Sequence, residues 1–352
     1  PEGTLKVGPQ SAGADPGPMC YASGGREPTV TDAHLLLGRI PPHLLGGEVR
    51  LDVTQSRHGV EALAAELNLG PEQAASGILE VSAWNQANAL RQVTVKRGLD
   101  VREFRLVTFG GSGSLLACRL VDILGLRGVV VPLNPGSLSA YGLLTVDVRN
   151  DYVRTAVTRE SVIDVGELQK IVDELRAEAA SALAREGFSA EVRQFAVTAD
   201  LRYFGQAYEV RVDVAPGKMT AGAVRAVAEE FHDEHRRLYG YDFRNDRRQE
   251  VEWVNLRVTG IGPIRKPDLC PLAAGHGADT AATGVRPVYF DDWCDATAYD
   301  RTALGSGDKV AGPAVIEEFS STVPVHPGFV AEVDSWGNLL IHRSDSAGAG
   351  SR

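Results

Sequence analysis

No run of about 18 consecutive apolar residues occurs in the chain, and no basic segment leads into an apolar one, so neither a membrane-spanning helix nor a secretory leader is expected. Positive charge is in deficit. A formal net charge of -10 and a pI near 5.4 argue against a surface made for nucleic acid or anionic membrane. The four cysteines, Cys20, Cys118, Cys270 and Cys294, lie far apart without a Cys-x-x-Cys pair. They read as reduced thiols of a cytoplasmic protein rather than a disulfide framework or a zinc site. There is no internal repeat. There is also no initiator methionine: the sequence starts at Pro1, and Gly3-Thr-Leu-Lys-Val-Gly8 reads as a hairpin strand already inside a domain, so a piece of a longer chain is expected. What remains is ordinary globular composition, 43% hydrophobic over 352 residues, enough for two or three packed domains.

The most informative stretch runs from Phe104 to Gly125. A β-branched and aromatic segment, Phe104 to Phe109, breaks into Gly110, Gly111, Ser112, Gly113 and Ser114, and an apolar-periodic segment follows until Gly125. That order is strand, glycine loop, helix. Glycines let backbone N–H groups face a ligand with no Cβ in the way, and the helix start adds partial positive charge. Such a corner suits a phosphate, or the flat face and sugar of a nucleotide. It lacks the Gly-Lys-Ser/Thr ending of a P-loop, and Leu116 stands where a dinucleotide fingerprint needs its third glycine. Nor does it have the Gly-x-Ser-x-Gly spacing of a nucleophile elbow. A ligand-free strand-to-helix turn is the competing reading. The strand Gly128 to Pro132 follows at once, so the helix should cross between parallel strands.

Residues 8 to 25 are interrupted by proline or glycine every few positions and form a long loop, a type that is often functional. Thr31 or Asp32 can cap a short helix closed by Gly38. Asp32 has a second reading, as a group holding a phosphate-bound metal through water. Cys20 in the loop is a possible nucleophile, although no nearby base is legible. Helices are expected at 60–69 and 71–98, the latter with Asn85, Gln86 and Asn88 interrupting its apolar face, either solvated or bonded to a neighbouring loop or ligand. Beyond Asp147 to Thr155, a helix, two strands, a helix and a strand up to Thr259 suggest an α+β unit. His232 and His235 fall on one helical face, as solvated residues or a metal pair. Residues 264–284 have linker composition; short strands from 285 to 343 suggest a β-rich closing module, and the tail from Ser344 reads as disordered.

Several stretches, taken together, resemble the A subunit of the hydantoinase/oxoprolinase family. They are Val7 to Tyr21, Pro28-Thr-Val-Thr-Asp-Ala33, Phe109-Gly-Gly-Ser-Gly113, Val131-Pro-Leu-Asn-Pro-Gly-Ser-Leu-Ser-Ala-Tyr-Gly-Leu-Leu144, Asp151-Tyr-Val-Arg-Thr155, Arg202-Tyr-Phe-Gly-Gln206 and Gly312-Pro-Ala-Val-Ile-Glu-Glu318. The resemblance implies an α/β fold: part of an actin-like ATPase (ribonuclease H-like) over residues 1–155, an α+β domain over 156–263, and the β-rich module over 285–343. It implies ATP with Mg²⁺ as cofactors. Gly110, Gly111, Ser112, Gly113 and Ser114 would be the adenosine loop, and Asp32 would be a catalytic or water-mediated metal group. The family's phosphate loops would lie upstream of Pro1, in an N-terminal part of the A subunit, and a B-type subunit would be a further partner.

Members use ATP to activate an unreactive carbonyl, either a cyclic amide opened by water or a ketone that is carboxylated. The resemblance therefore implies a small cyclic amide or ketone as substrate, and a subunit of a cyclic amide hydrolase, of a ketone carboxylase, or a non-catalytic docking half. This chain departs from the family pattern at two places. Leu116 stands where members often carry histidine, and His34 where they often carry asparagine.

Overall fold

The computed structural model describes residues 4–246 and 248–344. Two compact units divide the chain, one formed by Pro1–Gly142 with Asp268–Arg352 and the other by Leu143–Pro267.

The first unit contains a five-stranded sheet in the order Lys309–Ala311, Phe329–Val333, Leu339–Arg343, Gly128–Val131, Arg105–Val107. The last two strands are parallel, with Leu106 opposite Val129, and the helix Ala117–Leu124 connects them as the sequence pattern requires. The other neighbouring pairs are antiparallel, including Leu339 against Val131. Leu120, Val121 and Leu124 of the connecting helix are buried with Val129, Val131, Phe329 and Ile341. Each such aliphatic side chain contributes roughly 1.5–3 kcal/mol by leaving water. The helix ends at Gly125, whose φ of 67° is the left-handed conformation that glycine takes without strain.

A four-stranded sheet, Ser321–Val325, Ala314–Glu318, Trp293–Asp300, Ala282–Tyr289, belongs to the same unit. The expected separate β-rich module is thus divided between two sheets, and three of its strands, Lys309–Ala311, Phe329–Val333 and Leu339–Arg343, extend the sheet that carries the glycine loop. Residues 272–281 are not a free linker either. Leu272 N–H donates to Ser335, Gly275 N–H to Ser306, and Asp308 accepts from Gly277 and Gly305.

Helices Val30–Leu36, Val53–Leu67 and Pro71–Val95 bury Leu36, Val60, Ile78 and Leu79 in one cluster that also contains Leu116. The second of these begins earlier than expected because Asp52 caps it, accepting from Gln55 N–H at 3.0 Å, and it ends at Asn68 rather than Gly70. Thr4 to Val7 form no strand, and Gly3 lies outside the described residues. So does the tail after Ser344.

The second unit is an antiparallel sheet, Val148–Arg159, Val251–Gly262, Gln194–Tyr203, Val210–Val214, with helices Val165–Arg185 and Ala221–Tyr239 sharing its core. Asp164 and Thr220 cap the two helices. The strand 148–159, expected to end the first domain, pairs with 251–262 inside this unit. Among the described residues, no helix is long and apolar enough to cross a membrane.

Candidate functional site

The glycine loop is one of three turns that meet in the first unit. In the first, Thr108 N–H still donates to Val130 across the sheet, and Gly110, at φ 85°, then turns the chain away and donates its N–H to the Pro135 carbonyl at 2.7 Å. Gly113 must be glycine, since a Cβ there would overlap the Phe109 carbonyl. Gly111 and Ser112 are exposed, and Gly110 and Gly113 are half-buried. Ser114 differs from its neighbours. It is fully buried and its hydroxyl is engaged by Thr108 Oγ1 at 3.0 Å, so its side chain braces the loop from inside. Among the described residues, no backbone carbonyl takes the N–H groups of Gly111, Ser112 or Ser114 outside the regular elements.

The second turn is Asn134 to Ser137, entered through a left-handed Asn134. The third is Glu318 to Ser321. Ser320 sits between the other two: its carbonyl lies 3.1 Å from where a Cβ on Gly111 would be, and a Cβ on Gly136 would overlap its side chain. A buried ion pair fixes this turn. Arg301 Nη1 is 3.1 Å from Glu318 Oε1, while Arg301 Nη2 donates to the carbonyls of Val131, Pro132 and Gly337. Ser321 Oγ donates to the same Glu318 oxygen at 2.6 Å. Arg301 therefore ties the end of strand Gly128–Val131 to the third turn, and the glycine corner has a rigid back wall. On the other side of that turn, Gly46 N–H donates to the Phe319 carbonyl at 3.1 Å.

The sequence pattern found the first turn and missed the third. The Gly312 to Glu318 motif stopped one residue short of Phe319 and two short of Ser320, and nothing local marks Arg301 as their partner.

Asp32 lies elsewhere, in a fully buried position. Thr29, not Thr31 or Asp32, is the helix cap, and Asp32 completes a capping box at the third helical position. Its Oδ1 accepts from Cys20 N–H at 2.8 Å and Ser56 Oγ at 2.6 Å; its Oδ2 accepts from Thr29 N–H and Oγ1, both at 2.8 Å, and Met19 N–H at 3.2 Å. Burial pushes this carboxyl up, but the hydrogen bonds from Ser56, Thr29 and Cys20 outweigh it and leave it below its ordinary value. These contacts give the carboxylate the job of pinning the 8–25 loop. Cys20 is buried, and desolvation with the nearby Asp32 charge raises its thiol to about 12, so it is no nucleophile near neutrality.

His232 and His235 are buried rather than solvated. His232 Nδ1 meets Tyr203 Oη at 2.7 Å, and His235 Nδ1 meets the Tyr241 carbonyl at 2.9 Å. No cluster of three or more His, Cys, Asp or Glu among the described residues could hold a metal ion. The two departures from the family pattern are both interior: Leu116 packs in the helical cluster, and His34 is fully buried.

Residues 1–152 match a family model described as Hydantoinase/oxoprolinase, and residues 155–345 match its Hydantoinase/oxoprolinase C-terminal domain. An uncharacterised protein of Methanocaldococcus jannaschii is 36% identical over 96% of this chain and 48% of its own length. The caprolactamase subunit alpha of Pseudomonas jessenii is 34% identical over 94% of this chain and 49% of its own. A nucleotide-free acetone carboxylase structure, from a study of ATP-dependent acetone carboxylation, superposes with a TM-score of 0.86 at 26% identity, covering 97% of this chain and 50% of that one. The chain thus spans about half the length of these two relatives.

Proposed function

Because the chain belongs to the hydantoinase/oxoprolinase family, we propose that it is part of an ATP-dependent cyclic amide hydrolase, and that Gly110, Gly111, Ser112 and Gly113 form one wall of its ATP site. The observation that carries this reading is the corner itself. Three turns converge on it, its glycines allow a ligand to approach the backbone, and the N–H groups of Gly111 and Ser112 remain available on an exposed rim. Gly111 and Ser112 are exposed there, as one wall of a cleft should be. Polypeptide beyond the described residues supplies the opposite wall and the grip on the phosphates, and a B-type subunit completes the assembly.

A ring amide is a poor electrophile because resonance stabilises it; transfer of a phosphoryl group to its oxygen creates a good leaving group. Such transfer needs positioning and charge neutralisation more than covalent chemistry from the protein. This chain's part is positional. The glycine backbone seats the nucleotide, and the Arg301–Glu318 pair keeps the seat from shifting. Mg²⁺ does not fit on Asp32, whose two oxygens already accept five hydrogen bonds; no metal step is assigned to this chain. The likeness to the acetone carboxylase structure supports a second reading, a ketone carboxylase subunit with the same nucleotide seat.

Calorimetric titration of ATP into the assembled protein tests the seat. Gly113→Ala is expected to weaken ATP binding by about tenfold or more, because the new methyl must displace the Phe109 carbonyl and redraw the turn. Unchanged affinity would remove the site from this corner. ATP cleavage stimulated by lactams or hydantoins favours the hydrolase, and cleavage requiring ketone plus bicarbonate favours the carboxylase.

A further inference from the structure

We infer that Phe319 is the residue on which the nucleobase stacks, and that it makes the corner selective for purine nucleotides by ring face rather than by hydrogen bonding to the base edge. This rests on the nucleotide reading above.

Phe319 is 59% exposed, a large apolar ring open to solvent, and it is the immediate neighbour of the Ser320 that touches Gly111 and Gly136. Its backbone is held from both flanks and its ring rests on one neighbour. The Gly46 N–H holds its carbonyl, and the ring rests against Gly46, where a Cβ would come within 2.8 Å of Phe319 Cδ2. Before it in the chain Glu318 is locked to Arg301, and after it Ser321 is hydrogen-bonded back to Glu318. An exposed ring with so constrained a backbone loses little freedom when a flat ligand covers it. Stacking is indifferent to the donor and acceptor pattern of a base but grows with its area, so a purine should bind better than a pyrimidine. Ser112 is the one exposed hydroxyl on the glycine loop itself, with Asn134 and Ser137 exposed on the neighbouring turn.

The test compares ATP, GTP, CTP and inorganic tripolyphosphate as ligands of the assembled protein, carrying the wild-type residue, Phe319→Ala or Phe319→Trp. The wild type should bind both purine nucleotides more tightly than CTP. Phe319→Ala should weaken ATP and GTP by about tenfold, leave tripolyphosphate unchanged and abolish the purine preference, and Phe319→Trp should restore it. Since the side chain is exposed, thermal unfolding of each variant should match the wild type. If Phe319→Ala leaves ATP affinity unchanged, weakens tripolyphosphate equally, or disrupts assembly without changing nucleotide binding, the inference is overturned. Should ATP still bind and Gly113→Ala still weaken it, the nucleotide seat survives that failure. If the wild type binds no ATP at all, the seat and the stacking residue fall together.

Discussion

Replacing Asp32 with alanine is expected to destabilise the first unit by about 3–5 kcal/mol, because the change strands buried donors that cost about 1–3 kcal/mol each when left unpaired. Five donors converge on this carboxylate: the N–H groups of Met19, Cys20 and Thr29 and the hydroxyls of Thr29 and Ser56. Asp32→Asn should lose about 2–3 kcal/mol, since an amide has one acceptor oxygen and turns an N–H toward donors that need a lone pair. Denaturant unfolding of the wild type and both variants measures these losses. Nucleotide affinity of the folded fraction should stay at the wild-type value. The opposite pattern, with normal stability and abolished ATP turnover, would return Asp32 to the role of metal or catalytic group.

Asp32 also shows where sequence reasoning reaches its limit. Its spacing from Thr29 indicates a helix start, but Met19, Cys20 and Ser56 approach it from other parts of the chain, and those contacts decide between a cap and a metal group. The glycine corner was legible for the converse reason. A β-branched run, clustered glycines and an apolar-periodic segment are all local, and together they require strand, turn and helix. The parallel pairing of Arg105–Val107 with Gly128–Val131 follows from the short helix between them.

The back wall of the corner was illegible because it is built from sequence-distant pieces. Ser320 lies about 200 residues from Gly111, and Arg301 reaches back to Val131. Strand Leu339–Arg343 joins the glycine-loop sheet by pairing with Gly128–Val131, and nothing in its composition names that partner. His232 and His235 read as solvated residues or a metal pair for a related reason. Their spacing is right for an exposed helical pair, but Tyr203 and Tyr241 cover them.

Acidification below about pH 6.5 is expected to destabilise the first unit steeply, and two buried histidines are the cause. Among the described residues, both His34 ring nitrogens and Nε2 of His326 have no hydrogen-bond partner. Burial, followed by the charges of Arg39 and Arg119, drives His326 from an ordinary 6.5 down to about 3; burial, Arg39 and His326 hold His34 well below its usual value. Arg39 cannot relieve the repulsion, because its guanidinium is held by the carbonyls of Tyr289 and Phe290. In the folded state these imidazoles stay neutral, whereas in the unfolded chain they take up protons near 6.5. The unfolded state therefore binds more protons throughout the window below that pH. The stability that neutrality provides is complete above about 6.5 and falls by about 1.4 kcal/mol per pH unit for each histidine as acid is added. The lowered carboxyl of Asp32 adds its own loss only further down, below about pH 4. Denaturant unfolding at pH 7.5, 6.0 and 5.0 should show a loss of about 2–3 kcal/mol between the last two values. His326→Phe, beside the rings of Phe290 and Phe329, should remove about half of that slope, and adding His34→Leu should remove most of the rest. If the double variant loses stability with acid as steeply as the wild type, these histidines are not the groups that titrate.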